Sequence, residues 1–168
     1  MVPWRASIAL LVLAAGVPLA RAETSGLPAR RAAPGPLAQA PAPLVATPAP
    51  AGVVAEMRTA VEQARRQFEA RDQAGLLAAV SERYRSSGIT KAALRDQLQA
   101  MFGLYRELQA RVSVDRVEMV NGGAWVYTTG EVNGRLPMLG WVTVLAWQSE
   151  PEVARREATG WRLFGFQD

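Results

Sequence analysis

After Gln109 the spacing of apolar residues changes from about 3.6 to 2, and this switch restricts the fold more than any other feature of the chain. Before it, Val54, Met57, Val61, Ala64 and Phe68 recur at helical spacing with charges between them, which predicts a helix from Val53. Asp72-Gln73-Ala74-Gly75 interrupts the pattern and offers a cap for a second, shorter helix, LLAAVSERY, ending near Tyr84. Residues 86–88 read as a loop. Thr90 reads as the N-cap of a third helix, KAALRDQLQAMFGLYRELQ, which stacks Leu94, Leu98, Met101, Phe102, Tyr105 and Leu108 on one side.

Beyond the switch the pattern is that of strands. ARVSVDRVEMV holds Val112 and Val114 in one phase and Val117 and Met119 in the other, so a bulge near Asp115-Arg116 is expected. Asn121-Gly122 reads as a tight turn, AWVYTTGEV as the next strand and Asn133-Gly134 as another turn. LPMLGWVTVLAW is apolar in both phases, as in a strand buried on both faces. EPEVARREATG reads as a polar loop. GWRLFGF reads as a last strand, paired in the sheet interior near the Trp141 strand. Helices followed by hairpin-linked strands imply an α+β fold, with three helices covering one face of an antiparallel sheet.

The N-terminus has another texture. One arginine, Arg5, precedes an apolar stretch from Ala6 to Leu19 and then Ala20-Arg21-Ala22, the layout of a secretory signal peptide over residues 1–22. The apolar stretch is shorter than the roughly 20 residues a membrane helix needs, so no stable span is expected after cleavage. Residues 23–52 hold seven of the eleven prolines and no aromatic residue. Such a Pro/Ala-rich segment cannot offset its ordering entropy by burial, and it reads as a disordered, semi-rigid linker ahead of a domain at 53–168.

Composition removes whole classes of chemistry. There is no cysteine, which excludes disulfides, thiolate metal sites and a Cys nucleophile, and no histidine, the commonest general base and metal ligand. The net charge of +4 invites a nucleic-acid reading. Residues 1–52, however, carry four arginines against one glutamate, and residues 53–168 carry 15 basic against 14 acidic side chains. The domain is nearly neutral, so no nucleic-acid partner is expected. No phosphate-loop, calcium-loop or dinucleotide motif occurs, and no cofactor is expected.

Four stretches carry a family resemblance: VEQARRQFEARDQAGLLAAVSERYRSSG, ITKAALRDQLQAMFGLYRELQARVSV, VTVLAWQSE and GWRLFGF. In this order, from Arg58 to Phe166, the chain resembles the nuclear transport factor 2-like superfamily in its SnoaL-like and ketosteroid-isomerase-like bacterial branch. The resemblance implies a cone: three helices on a strongly curved sheet, a pocket between them, and a homodimer through the sheet's outer face. The superfamily includes isomerases, cyclases and dehydratases as well as non-catalytic modules. Its catalytic members commonly use Asp or His with Tyr, and here His is absent.

Tyr84 and Tyr105 from the helices, and Tyr127, Glu131 and Trp141 from the strands, are the candidate ligand-binding residues. A tyrosine hydroxyl could donate to a ligand oxygen while Glu131 or Asp115 accepts a proton. Tyr and Trp also serve as amphipathic core residues, and Glu131 sits beside a turn reading. No residue is assigned as catalytic and none as a metal ligand. The sequence thus points to an exported, non-catalytic module that binds a small apolar ligand or assembles with itself. The alternative is a cofactor-independent isomerase- or cyclase-type enzyme acting on an apolar ring. That alternative calls for a cavity of about 300 Å³ or more, with a carboxylate and a tyrosine turned inward.

Overall fold

The computed structural model describes residues 45–166. The signal-peptide reading and most of the linker reading fall on residues 1–44, outside the described residues. The last linker residues do have structure: β1 (Thr47–Pro48) pairs with a later strand, and α1 (Ala51–Glu69) starts two residues before the periodicity suggests. Pro50 at the N-cap explains the early start, because a fixed φ and a missing N–H suit the edge of a helix.

α1 turns Met57, Val61 and Phe68 inward. Asp72 caps α2 (Gln73–Ala78), its side chain accepting from the Gly75 N–H. This helix is one short segment, not the run to Tyr84 that the sequence suggests, since residues 79–84 turn away to meet the sheet. The expected 86–88 loop is the tip of a small hairpin, β2 (Arg85–Ser86) with β3 (Ile89–Thr90). Thr90 caps α3 (Lys91–Leu104) through the Ala93 N–H, as expected. The helix stops at Tyr105, where the backbone becomes extended, so Leu108 belongs to a strand.

The sheet is antiparallel and curved. β4 (Glu107–Val120), β5 (Gly123–Leu136), β6 (Gly140–Glu157) and β7 (Gly160–Leu163) follow as hairpins, in the order β1-β4-β5-β6-β7. The bulge falls between Val114 and Arg116, where the change of phase requires it. Asn121 and Gly122 both have positive φ and close a two-residue turn.

Four strand readings are corrected. Asn133-Gly134 is not a turn but part of β5, and the chain reverses at residues 137–139. Gly134 serves packing instead: the Tyr105 ring lies where a Cβ would be. The polar run after Glu150 is strand, continuing β6 to Glu157. GWRLFGF is strand only over Gly160–Leu163, and this β7 lies at the sheet edge beside the far half of β6, not in the interior. Its free side is partly sealed by residues 79–81 and 85, including a parallel bridge from Val80 to Leu163. Nor is the Trp141 segment buried on both faces: Trp141, Thr143 and Ala146 are exposed.

Two apolar clusters join the layers. Phe68, Leu94, Leu98 and Met101 pack with Leu108, Val132 and Trp147 of the sheet. Met57 and Val61 pack with Val117, Ala124, Val126 and Ala154. Each fully buried side chain of this kind contributes about 1.5–3 kcal/mol relative to exposure.

Candidate functional site

A cavity of about 110 Å³ lies between the helices and the sheet, next to both clusters. α1 supplies Met57, Ala60, Val61 and Ala64, the α2 region Leu76 to Val80, and α3 Leu94 and Leu98. Val126, Ala154, Trp161 and Leu163 close it from the sheet. Small residues at its exposed rim, Ala60 and Ala79, leave room at the mouth.

Into this apolar lining β6 places one carboxylate, Glu152, which is 1% exposed. Strand parity explains how a charged residue comes to face inward. Trp147 faces the core, so strict alternation would turn residues 149, 151 and 153 inward and Glu152 outward. The β5–β6 register shifts between Thr128 and Gly130, and Ser149 there has a φ of +49°. The extra residue flips the parity, so Glu152 and Ala154 line the cavity while Val153 and Arg155 line the other side.

Tyr84 is the nearby polar partner. Burial first, and then the negative charge of Glu152, push its hydroxyl pKa well above the usual tyrosine value, so it stays protonated. Among the described residues no well-formed hydrogen bond reaches that hydroxyl, although Ser86 is close enough to oppose the shift slightly. A neutral O–H and a carboxylate thus sit together beneath a mostly apolar chamber. On the rim, the Trp161 indole N–H and the Arg156 guanidinium both donate to Glu56 of α1, tying the β6–β7 hairpin to the helix.

No family model matches the chain, and no curated protein matches it by sequence. Solved structures do. A conserved protein from Planctomyces limnophilus superposes with a TM-score of 0.59 at 15% identity, over 68% of this chain and 92% of that one. A proposed dehydratase of the nuclear transport factor 2-like family from Streptomyces avermitilis gives 0.56 at 13% identity, over 69% and 94%. The chain has the nuclear transport factor 2-like fold. A proposed scytalone dehydratase from Novosphingobium aromaticivorans shares it, with a TM-score of 0.55 at 14% identity over 67% and 82%.

Within this nuclear transport factor 2-like frame the five sequence candidates separate. Tyr84 lies beside Glu152 in the core without lining the cavity. Tyr105 ends α3, its ring against Gly134 and its carbonyl accepting from Arg71. Tyr127 is on the outer face of the sheet, with the Arg116 guanidinium 3.5 Å from its ring centroid. Glu131 shares that face, 2.8 Å from Arg111, and accepts from the Asn133 amide. Trp141 is 43% exposed near the β5–β6 turn, beside exposed Met138 and Leu139. Glu152 is absent from the sequence candidates because a run of charges hides a strand. The clue was the parity conflict between Trp147 and Ala154. Among the described residues, no group of three acidic side chains could hold a metal ion. No helix among them is long and apolar enough to cross a membrane.

Proposed function

We propose that the domain is an exported, non-catalytic binding module that takes a small, largely apolar ligand into the cavity and orients it through Glu152. The buried carboxylate in an apolar lining carries this reading. Glu152 is the one acidic side chain in that lining, so a ligand N–H or O–H has one carboxylate there to be directed at. The volume limits the ligand. At about 110 Å³ the chamber is smaller than the 300–1,000 Å³ of drug-sized sites and nearer the roughly 150 Å³ that admits benzene. Export rests on the layout of residues 1–22, and a homodimer rests on the half-exposed outer face that carries Tyr127 and Trp141. The dehydratase names of structural neighbours do not decide the matter, because one fold hosts many chemistries.

Native mass spectrometry of the exported protein tests the reading. One small molecule per chain, lost in Glu152→Gln, is the expected result. A ligand-free chain that also binds no apolar alcohol or phenol from a library would overturn it.

A second reading rests on the closeness of Tyr84 to Glu152 alone, since the chamber falls short of the volume that reading calls for and Tyr84 does not line it. In that reading the domain is a cofactor-independent isomerase- or cyclase-type enzyme acting on an apolar ring. Incubating a bound ligand in D₂O separates the two. Deuterium entering a ligand C–H bond with wild type but not with Glu152→Gln supports catalysis, and an unlabelled ligand supports binding alone.

A further inference from the structure

A second concavity, of about 220 Å³, lies on the sheet face turned away from the helices. Its walls are Val120, Trp125, Val153, Arg155, Phe164 and Phe166. Trp125 and Phe166 meet edge to face at 5.1 Å, and the Arg155 guanidinium lies 4.4 Å from the Phe164 ring centroid. This is an aromatic groove with one cationic rim residue, and it is separate from the Glu152 chamber.

Where the chain enters the sheet says what fits there. β1 pairs Thr47 with Met119 and Pro48 with Glu118. Followed backward, that register brings Val45 alongside Asn121, which itself lines the groove. The residues before it, 33–44, read APGPLAQAPAPL, with four prolines, two leucines and no charge. Prolines preset the polyproline II conformation, so little entropy is lost on docking, and aromatic grooves are the usual receptors for it. At about 3.1 Å per residue, residues 40–44 extend some 15 Å from Val45, enough to cross a groove that begins next to it.

We propose that Ala40-Pro41-Ala42-Pro43-Leu44 packs as a polyproline II segment into this groove of its own chain, with the proline rings against Trp125 and Phe166. The arm then runs from a fixed point on the outer face, and its docking competes for the surface a second subunit would use.

Backbone ¹⁵N relaxation on the chain without residues 1–22, the form expected after signal cleavage, tests this. The amides of Ala40, Ala42 and Leu44 should show heteronuclear NOE values as high as those of β5, and Trp125→Ala should drop them to free-chain values while the Leu94 and Leu98 amides of α3 keep their shifts. Should Trp125→Ala fail to fold, the pair Pro41→Ser with Pro43→Ser leaves the domain untouched. It should lower the same NOE values and move the Trp125 indole resonance. Free-chain values in the parent protein would overturn the proposal. So would an unmoved indole in the proline variant, or arm-to-Trp125 contacts found only between differently labelled chains, which would place the segment on a neighbour.

Discussion

The Trp147 indole N–H donates to the Thr128 hydroxyl at 3.0 Å, and both side chains are buried between β5 and β6. This bond holds the largest ring of the core beside the bulge that turns Glu152 inward. Thr128→Val keeps the shape and deletes the acceptor, leaving a buried donor unsatisfied at a cost of about 1–3 kcal/mol. Thr128→Ser keeps the acceptor and should cost about 1 kcal/mol, the loss of one buried methyl. Urea unfolding of the two variants checks the order; a valine variant as stable as the parent would show that the bond contributes nothing.

Alkaline pH should report on Tyr84. Its pKa is raised in the folded state, by burial and then by the charge of Glu152. The unfolded chain ionises tyrosine near pH 10. The stability tied to Tyr84 is therefore complete below about pH 10 and is lost as pH climbs from there towards the folded value. Tyr84→Phe should flatten the fall in urea midpoint above about pH 10. An equally steep fall in the phenylalanine variant would assign the alkaline loss to other groups.

The caps and the inward stripes of the helices were legible because they are local, whereas the ends of α2 and α3, set by contact with the sheet, were not. One stripe of α1 both repeats at helical spacing and meets the core, and Asp72 and Thr90 cap as their chemistry suggests. The bulge at Asp115 could be read because Val114 and Val117 are both apolar and sit on opposite parities. The second half of β6 was illegible for the converse reason. Its charges are spread over both phases, and only pairing with Tyr127 and Trp125 of β5 makes it a strand. Pro151 is tolerated there because β7 begins to pair only at Ala154, so the edge beside Pro151 needs no ladder donor. Glu152 stayed hidden along with the strand that carries it.

Filling the chamber should separate stability from binding. Ala64→Leu adds three methylene-sized groups to a half-buried wall of the cavity. Cavity filling of this kind commonly adds about 0.5–2 kcal/mol. The variant should therefore unfold at higher urea while failing to retain a ligand in native mass spectrometry. A variant that keeps its ligand would move the binding site elsewhere.

The turn after β7 should be intolerant of any side chain. Gly165 has a φ of +73°, and a Cβ there would overlap the Arg85 carbonyl oxygen. Left-handed backbone and the overlap together should cost Gly165→Ala about 2 kcal/mol or more. The Trp125–Phe166 contact depends on this turn, so tryptophan emission should shift as stability falls. Unchanged emission and stability would mean that the tail packs in another way.

Among the described residues only the two of β1 pair with the outer edge of β4, which leaves most of that long strand as a border of the sheet. It is not inviting to a stranger. The Ala110 amide is already taken by the Glu69 carboxylate, and the kink at Asp115 breaks the straight run that an added strand would need. A crowded solution of such molecules has no easy way to zip border to border into fibres, and encounters between copies are diverted to the broad faces.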